Sequence, residues 1–388
     1  MEEYNDYHIN TGSRAAEGSS RDNAPFLFVS VALLLTIIGL VMLYSASYNE
    51  ALSFEVDHDY FVRRQLIFAL LSLVPITLVI ILPVSLIRRL SPLLLLAVSF
   101  LLVLTLFSSF GQQKFGSRRW LEIAGLPAIQ PSEFAKLAIA LFYGAHFSRH
   151  GQDEPSARLF LLPSLVALVV TALILAGRDY SSALLFLAQC AFTLVAAGLS
   201  VRYLLLLFGF IAPPAIVALF SQGYRIRRIV SFLMPTLDVR GINYQVSVSL
   251  KAIKRGGLLG VGLGNGIYKE GLLPEVHSDF IFASIAEEVG FVGVFVIIAL
   301  FVVFINLGYK GARRSLEQDR FLSLTAFGLT TMVALQAILN LSVVTGLLPP
   351  TGVPLPFFSQ GGTNLVVVLT SSAFIYRALA VSSKERLP

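Results

Sequence analysis

The sequence predicts an all-α polytopic membrane protein of about ten transmembrane helices with one long outer loop between helices 7 and 8, and three observations carry that prediction. Of 388 residues, 56% are hydrophobic and only 13% charged, about half the charged share of a soluble domain. Uncharged runs recur at or near the ~20 residues that cross a hydrocarbon core as a helix. The runs are continuous in Leu, Val, Ile, Phe and Ala, whereas a membrane β-barrel would read as ~10-residue alternating segments.

Taken in order, the uncharged runs cover 23–49, 65–87, 90–113, 159–177, 180–201, 203–224 and 289–309. The first is followed by Ser45-Ala46-Ser47, a sequence like a signal cleavage site. It is too long for a signal h-region and has no basic segment immediately before it, so it is expected to stay as the first span. The run 137–148 becomes a full span once Glu133 and Lys136 are counted in its first turn. The stretch 321–376 is too long for one span, and Pro349, Pro350, Gly352, Pro354, Pro356, Gly361 and Gly362 at its centre divide it into two helices joined by a rigid loop. The resulting layout is an N-terminal tail over 1–24, a ten-helix domain over 25–381 with its outer loop at about 222–279, and a C-terminal tail over 382–388.

Orientation follows from the basic residues. With the N-terminus inside, inner and outer segments carry fourteen Lys and Arg each, but eight of the outer ones lie in the single long loop: Arg225, Arg227, Arg228, Arg240, Lys251, Lys254, Arg255 and Lys269. Long loops count little in the positive-inside rule, so both termini are expected in the cytoplasm. Cations carried outward against that bias imply an anion outside, either a ligand or the headgroups of membrane lipids. No nucleic-acid-binding motif accompanies them. The loop also holds Gly256, Gly257, Gly260, Gly262, Gly264 and Gly266. No strand and helix flank it as a dinucleotide fingerprint requires. It reads as a turn-rich re-entrant or surface segment whose N–H groups are suited to cradle a phosphate. A Walker A loop and a serine-hydrolase elbow are both absent from the sequence.

Three polar constellations stand out. Glu275, His277 and Asp279 precede an apolar helix expected from Phe280. Asp279 is then the N-cap of that helix, or a base or metal ligand held at the lip of a span, where a carboxylate needs support from cations or hydrogen bonds. Glu287 and Glu288 lie about 12 Å further along the same helix at 1.5 Å per residue, so at least one must point inward. Arg118, Arg119 and Trp120 precede Gln130-Pro131-Ser132-Glu133-Phe134-Ala135-Lys136, in which Pro131 and Ser132 suit a helix start and Glu133 and Lys136 share a face. That pair is either a local ion pair at a helix start or a charged pair facing a cavity. His146 and His150 have metal-binding spacing but no third ligand nearby, and the single Cys190 allows no internal disulfide.

These segments resemble the SEDS family of shape, elongation, division and sporulation proteins (FtsW, RodA and SpoVE). Arg119-Trp120, Gln130 to Lys136, Gly256 to Gly266, Leu273 to Glu288 and Pro354 to Gly362 match family motifs in order, and the likeness runs from about Phe26 to Tyr376. It implies a ten-helix peptidoglycan glycosyltransferase of the bacterial cytoplasmic membrane. Such a protein polymerises lipid II beside a class B penicillin-binding transpeptidase and, in the division branch, other divisome proteins at the septum. Carried over by motif, Asp279 of H-[TS]-D-F is the catalytic residue, with Arg119, Glu133 and Lys136 on the substrate and Ser359, Gly361 and Gly362 in support; His277 and, by their charge in the basic loop, Lys254 and Arg255 are added to the substrate set, and Glu275 and Asp179 to the supporting one. Two departures are visible. Gly177-Arg178-Asp179-Tyr180-Ser181-Ser182 keeps only the aspartate of Q-P-D-x-G-T, and Gln360 replaces the tyrosine of S-Y-G-G-S. Gly260 to Asn265 and Val343 to Gly346 look more like FtsW and SpoVE than the elongation polymerase RodA.

On this reading Asp279 takes the proton of an acceptor hydroxyl or holds a divalent cation such as Mg or Mn, while Arg119, Lys136 and the basic loop stabilise the departing pyrophosphate. No organic cofactor is expected. The rival readings are a lipid II flippase, which would keep its charged residues near the bilayer midplane, and a non-catalytic division scaffold.

Overall fold

A computed structural model of the chain describes residues 23–114, 116–122, 127–149, 157–203, 205, 209 and 242–384. Ten α-helices and one β-hairpin are found there: α1 (Ala24–Ser53), α2 (Tyr60–Ile81), α3 (Val84–Phe107), β1 (Gly111–Lys114), β2 (Ser117–Leu121), α4 (Pro131–Ser148), α5 (Ala157–Ala176), α6 (Tyr180–Ala196), α7 (Ile242–Gly256), α8 (Ile281–Arg314), α9 (Arg320–Val344) and α10 (Gly362–Lys384). Helices α1, α2, α3, α5, α8, α9 and α10 are long and apolar enough to span a membrane. Helix α6 is apolar but shorter, and α4 takes Glu133 and Lys136 into its first turns as expected. Most of the expected span at 203–224 lies outside the described residues, as do Arg225, Arg227, Arg228 and Arg240 of the loop and both terminal tails apart from a few residues.

Helix ends depart from the uncharged runs where proline, rather than charge, decides them. Leu82 precedes Pro83 and is extended at ψ 141°, because the proline ring disfavours the helical region for the residue before it. Helix α2 therefore stops at Ile81, and α3 starts at Val84 and includes Arg88, which was expected between spans. Arg88 Nη2 meets Asp319 at 2.8 Å, and the same carboxylate accepts from Phe321 N at 2.9 Å as the N-cap of α9.

The β-hairpin was not foreseen. Its register pairs Gly111 with Leu121 and Gln112 with Trp120, and Arg118 N donates to Gly177 O at 2.9 Å, fastening the hairpin to the α5–α6 turn. Helix α9 runs through the middle of the bundle, buried along most of its length, with α4 packed against it. One apolar core joins α1, α4, α8, α9 and α10, and a second joins α3, α4, α5 and α6 around Tyr143, Phe147 and Phe186.

Helix α8 is broken. Gly290 has φ 64° and ψ −168°, a conformation open to glycine and strained for any other residue. The amides of Phe291 and Val292 donate instead to Gly257 O at 2.9 Å and Leu258 O at 3.1 Å, while Val261 N and Gly262 N return bonds to Glu287 O and Glu288 O at 3.0 Å each. The glycine-rich segment is docked into the break and satisfies it.

Candidate active site

The site is built on the turn 275–280, which α9 and the loop after it grip by its backbone. Gln360 N donates to His277 O at 2.9 Å, Ser359 Oγ to Ser278 O at 2.6 Å, and Asn340 Nδ2 to Asp279 O at 2.8 Å. Three consecutive carbonyls are thus held by three donors, with Asn340 also bonded to Val353 O at 2.8 Å and Ser359 Oγ accepting from Leu355 N at 2.8 Å. Gln65 of α2 braces the loop in turn, donating to Ser359 O at 3.2 Å and accepting from Gly361 N at 3.3 Å. Gly362 lies so close to the Phe68 ring that no side chain fits there.

This places Asp279 differently from one of its expected roles. Helix α8 begins at Ile281 with Phe280 in the cap position, so Asp279 precedes the cap. Its half-buried carboxylate accepts from Ser278 Oγ at 3.1 Å. Gly352, at φ 76°, passes beside it: a Cβ there would sit 3.4 Å from Asp279 Oδ2 and 3.9 Å from Arg119 Nη1. Glycine keeps the space between the carboxylate and the guanidinium open.

Glu275 lies in the same neighbourhood, at φ 56°. Burial, followed by the nearby Asp279 and Glu50 carboxylates, pushes its carboxyl above the ordinary range, against the opposing charges of His277 and Arg119. His277 is 7% exposed, with its Nδ1 on Glu50 of α1 and its ring 4.9 Å from that of Phe61. The imidazole is engaged by α1 and α2 and anchors the turn.

Arg119, in the middle of β2, is positioned by Asp179, 3.7 Å away. Asp179 is the N-cap of α6 and accepts from Gln130 Nε2 at 2.9 Å and Ser132 Oγ at 3.1 Å. Two buried polar atoms beside this group have no hydrogen-bond partner among the described residues, Arg119 Nε and Thr351 Oγ1. Buried donors are rarely left so.

Glu133 and Lys136 do not open onto the same space. They are 2% and 1% exposed, with Lys136 Nζ 2.7 Å from Glu133 Oε1, and Glu133 Oε2 accepts from Asn364 Nδ2 at 2.7 Å and Gln336 Nε2 at 3.4 Å. The local ion pair expected at the helix start is present, but it sits inside the bundle, joining α4 to α9 and α10.

Both carboxylates of the Glu287–Glu288 pair point inward, at 0% and 1% exposure. Glu287 takes Arg255 and the amides of Ile267 and Tyr268 at 3.0 and 3.3 Å. Glu288 takes Lys269 at 2.6 Å, Ser45 Oγ at 2.7 Å and Gly264 N at 3.1 Å. Of the glycine-rich segment expected to cradle a phosphate, the Gly264 amide is directed at the protein's own Glu288 carboxylate and those of Gly260, Val261, Gly262 and Asn265 at backbone carbonyls. Two of the eight outward cations, Arg255 and Lys269, are likewise directed at the Glu287 and Glu288 carboxylates, whereas Lys251 and Lys254 remain exposed.

His150 is outside the described residues, and His146 Nε2 sits 3.0 Å from Leu159 O. Among the described residues no three His, Cys, Asp or Glu side chains converge to hold a metal. Sequence reasoning missed Gln65, Asn340, Asn364, Gln336 and Thr351. Four of these are amides, and an amide in or beside an otherwise apolar run was the available signal.

A bundle whose helices are long and apolar enough to cross a bilayer defines a polytopic membrane protein. The chain belongs to the FtsW, RodA and SpoVE family, whose model, described as cell cycle protein, matches residues 25–384. It is 36% identical over 362 residues to the probable peptidoglycan glycosyltransferase FtsW of Saccharophagus degradans, covering 92% of this chain and 93% of that protein. It is also 36% identical to stage V sporulation protein E of Bacillus subtilis, over 90% of this chain and 95% of that one. Among solved structures it resembles a chain from work on the coordination of polymerization and crosslinking by a peptidoglycan synthase complex, with TM-score 0.76, 26% identity and coverage of 92% and 98%. The rod shape determining protein RodA of Thermus thermophilus matches with TM-score 0.64, 25% identity and coverage of 96% and 99%.

Proposed function

We propose that the chain is a peptidoglycan glycosyltransferase that polymerises lipid II at the outer face of the bacterial cytoplasmic membrane, in the division branch of its family, beside a penicillin-binding transpeptidase. The observation that carries this is the fixed presentation of Asp279 across Gly352 from Arg119. In the reaction an acceptor hydroxyl attacks the anomeric carbon of the donor sugar, the glycosidic C–O bond forms, the C–O bond to pyrophosphate breaks, and the hydroxyl proton passes to Asp279. A carboxylate clamped by its own backbone is suited to take that proton at a constant position. Arg119, oriented by Asp179, supplies charge for the leaving pyrophosphate, and the unpartnered Arg119 Nε and Thr351 Oγ1 are donors available to its oxygens. The test is lipid II polymerisation by the purified protein in lipid, with and without its transpeptidase and with and without added Mg or Mn. Polymer from the wild type and none from Asp279→Asn supports the assignment. Movement of intact lipid II across the bilayer without polymer would replace it with a transporter.

A further inference from the structure

The segment 257–263 leaves three leucines bare. Leu258, Leu259 and Leu263 are 72%, 80% and 60% exposed, and an apolar cluster this open on one short loop calls for a partner. Its height along the bundle identifies that partner. Leu258 O accepts from Val292 N, and Gly257 O from Phe291 N, so the loop crosses α8 at residues 291–292. Lys310, near the basic far end of α8, is nineteen residues from Phe291, or about 28 Å at 1.5 Å per residue. That matches the ~30 Å hydrocarbon core. Phe291, Val292 and Phe295 are themselves 63%, 51% and 63% exposed on the apolar span, and the leucines continue that belt at its rim. Immediately before them, α7 carries Tyr244, Leu250, Lys251 and Lys254 exposed, the aromatic, apolar and cationic mixture of a helix lying in a membrane interface.

We infer that residues 244–263 form an interfacial anchor in which α7 rests on anionic headgroups through Lys251 and Lys254, while Leu258, Leu259 and Leu263 enter the acyl region at the site end of the bundle. The inference does not depend on the proposed reaction. Its mechanical sense comes from the broken helix: the wedge is hydrogen-bonded to the same stretch whose other side holds Glu287 and Glu288, so the lipid surface sets the height of the polar site.

The test uses the full chain with Cys190→Ala, reconstituted in bilayers of phosphatidylcholine and phosphatidylglycerol, with a nitroxide at Leu259→Cys and, in separate samples, at Leu258→Cys or the exposed Glu270→Cys. An apolar face buried roughly 5–10 Å into the interface should favour collision with dissolved oxygen over a water-borne nickel chelate by on the order of tenfold relative to Glu270. Replacing phosphatidylglycerol by phosphatidylcholine should lower that ratio, and Lys251→Glu with Lys254→Glu should abolish its dependence on lipid charge. Chelate access at both leucine positions equal to that at Glu270 would overturn the inference. So would shielding from both reagents, which would mean that another protein surface covers the leucines.

Discussion

Asn340→Ala tests whether the backbone clamp makes Asp279 competent. Asn340 is 1% exposed and gives its amide protons to Asp279 O and Val353 O, both at 2.8 Å. Alanine removes both donors and leaves the buried Val353 carbonyl and the part-buried Asp279 carbonyl without them, at about 1–3 kcal/mol for a fully buried group and less for a part-buried one, so the loss of stability lies between about 1 and 5 kcal/mol. The lower end applies if water enters the space vacated. The catalytic consequence is separable, because Gln360 N and Ser359 Oγ still hold the preceding two carbonyls and only the Asp279 end of the turn is released. A displacement of about 1 Å at a reacting group costs on the order of 100-fold in rate. The expected result is therefore a drop of about that size in kcat with lipid II affinity held. The assay is polymerisation in lipid, read alongside substrate binding and thermal unfolding of the same preparations. Wild-type kcat in folded Asn340→Ala protein refutes the positioning argument, as does a loss confined to substrate affinity.

The remaining predictions concern charge. Asp279→Asn should lower polymerisation by about 10²–10⁴-fold, the usual contribution of a general base, with unfolding unchanged; substantial polymer from the mutant removes Asp279 from the chemistry. Lys136→Met should destabilise by about 3–5 kcal/mol by stranding Glu133, and adding Glu133→Gln should recover much of that. A double mutant as unstable as the single one would show that the pair's burial is misjudged. Lys254→Glu should leave folding intact, whereas Arg255→Glu sets a second carboxylate against the fully buried Glu287 and should unfold the loop; equal effects in thermal unfolding would contradict the assigned contacts. Because the Glu275 carboxyl is raised in the fold, the folded protein binds that proton more tightly than the unfolded chain. Stability should then rise as pH falls through the raised value and level off below the ordinary one of about 4.5. Glu275→Gln should be the more stable form near neutrality and lose that advantage in acid, and a pH-independent difference would count against the raised carboxyl.

Much of the architecture was determined by the sequence alone, because a helix that must satisfy its own backbone in lipid announces itself as an unbroken apolar run. Helices α1, α5, α9 and α10, and the proline-rich loop between the last two, could be read in this way. Ordered motifs also singled out Asp279 and Arg119, which the fold brings to the two sides of Gly352. Boundaries set by proline were misread at α2 and α3, where charge was taken as the end of the helix. The hairpin at 111–121 was missed because its four- and five-residue strands carry no alternation long enough to register.

Tertiary structure decided which charges face which. Sequence places Glu133, Lys136, Arg255, Lys269, Glu287 and Glu288 on elements, but a helix period cannot say whether a given face meets a cavity or another helix. Only packing shows that Glu133 finds Asn364 and Gln336 and that Glu288 finds Lys269 and Ser45, partners 19 to 243 residues apart in the chain. The glycine-rich segment makes the same point. Its composition signals close backbone approach, yet what approaches is the broken ladder of α8 at Gly290, and the acceptors it satisfies exist only once the two segments have met.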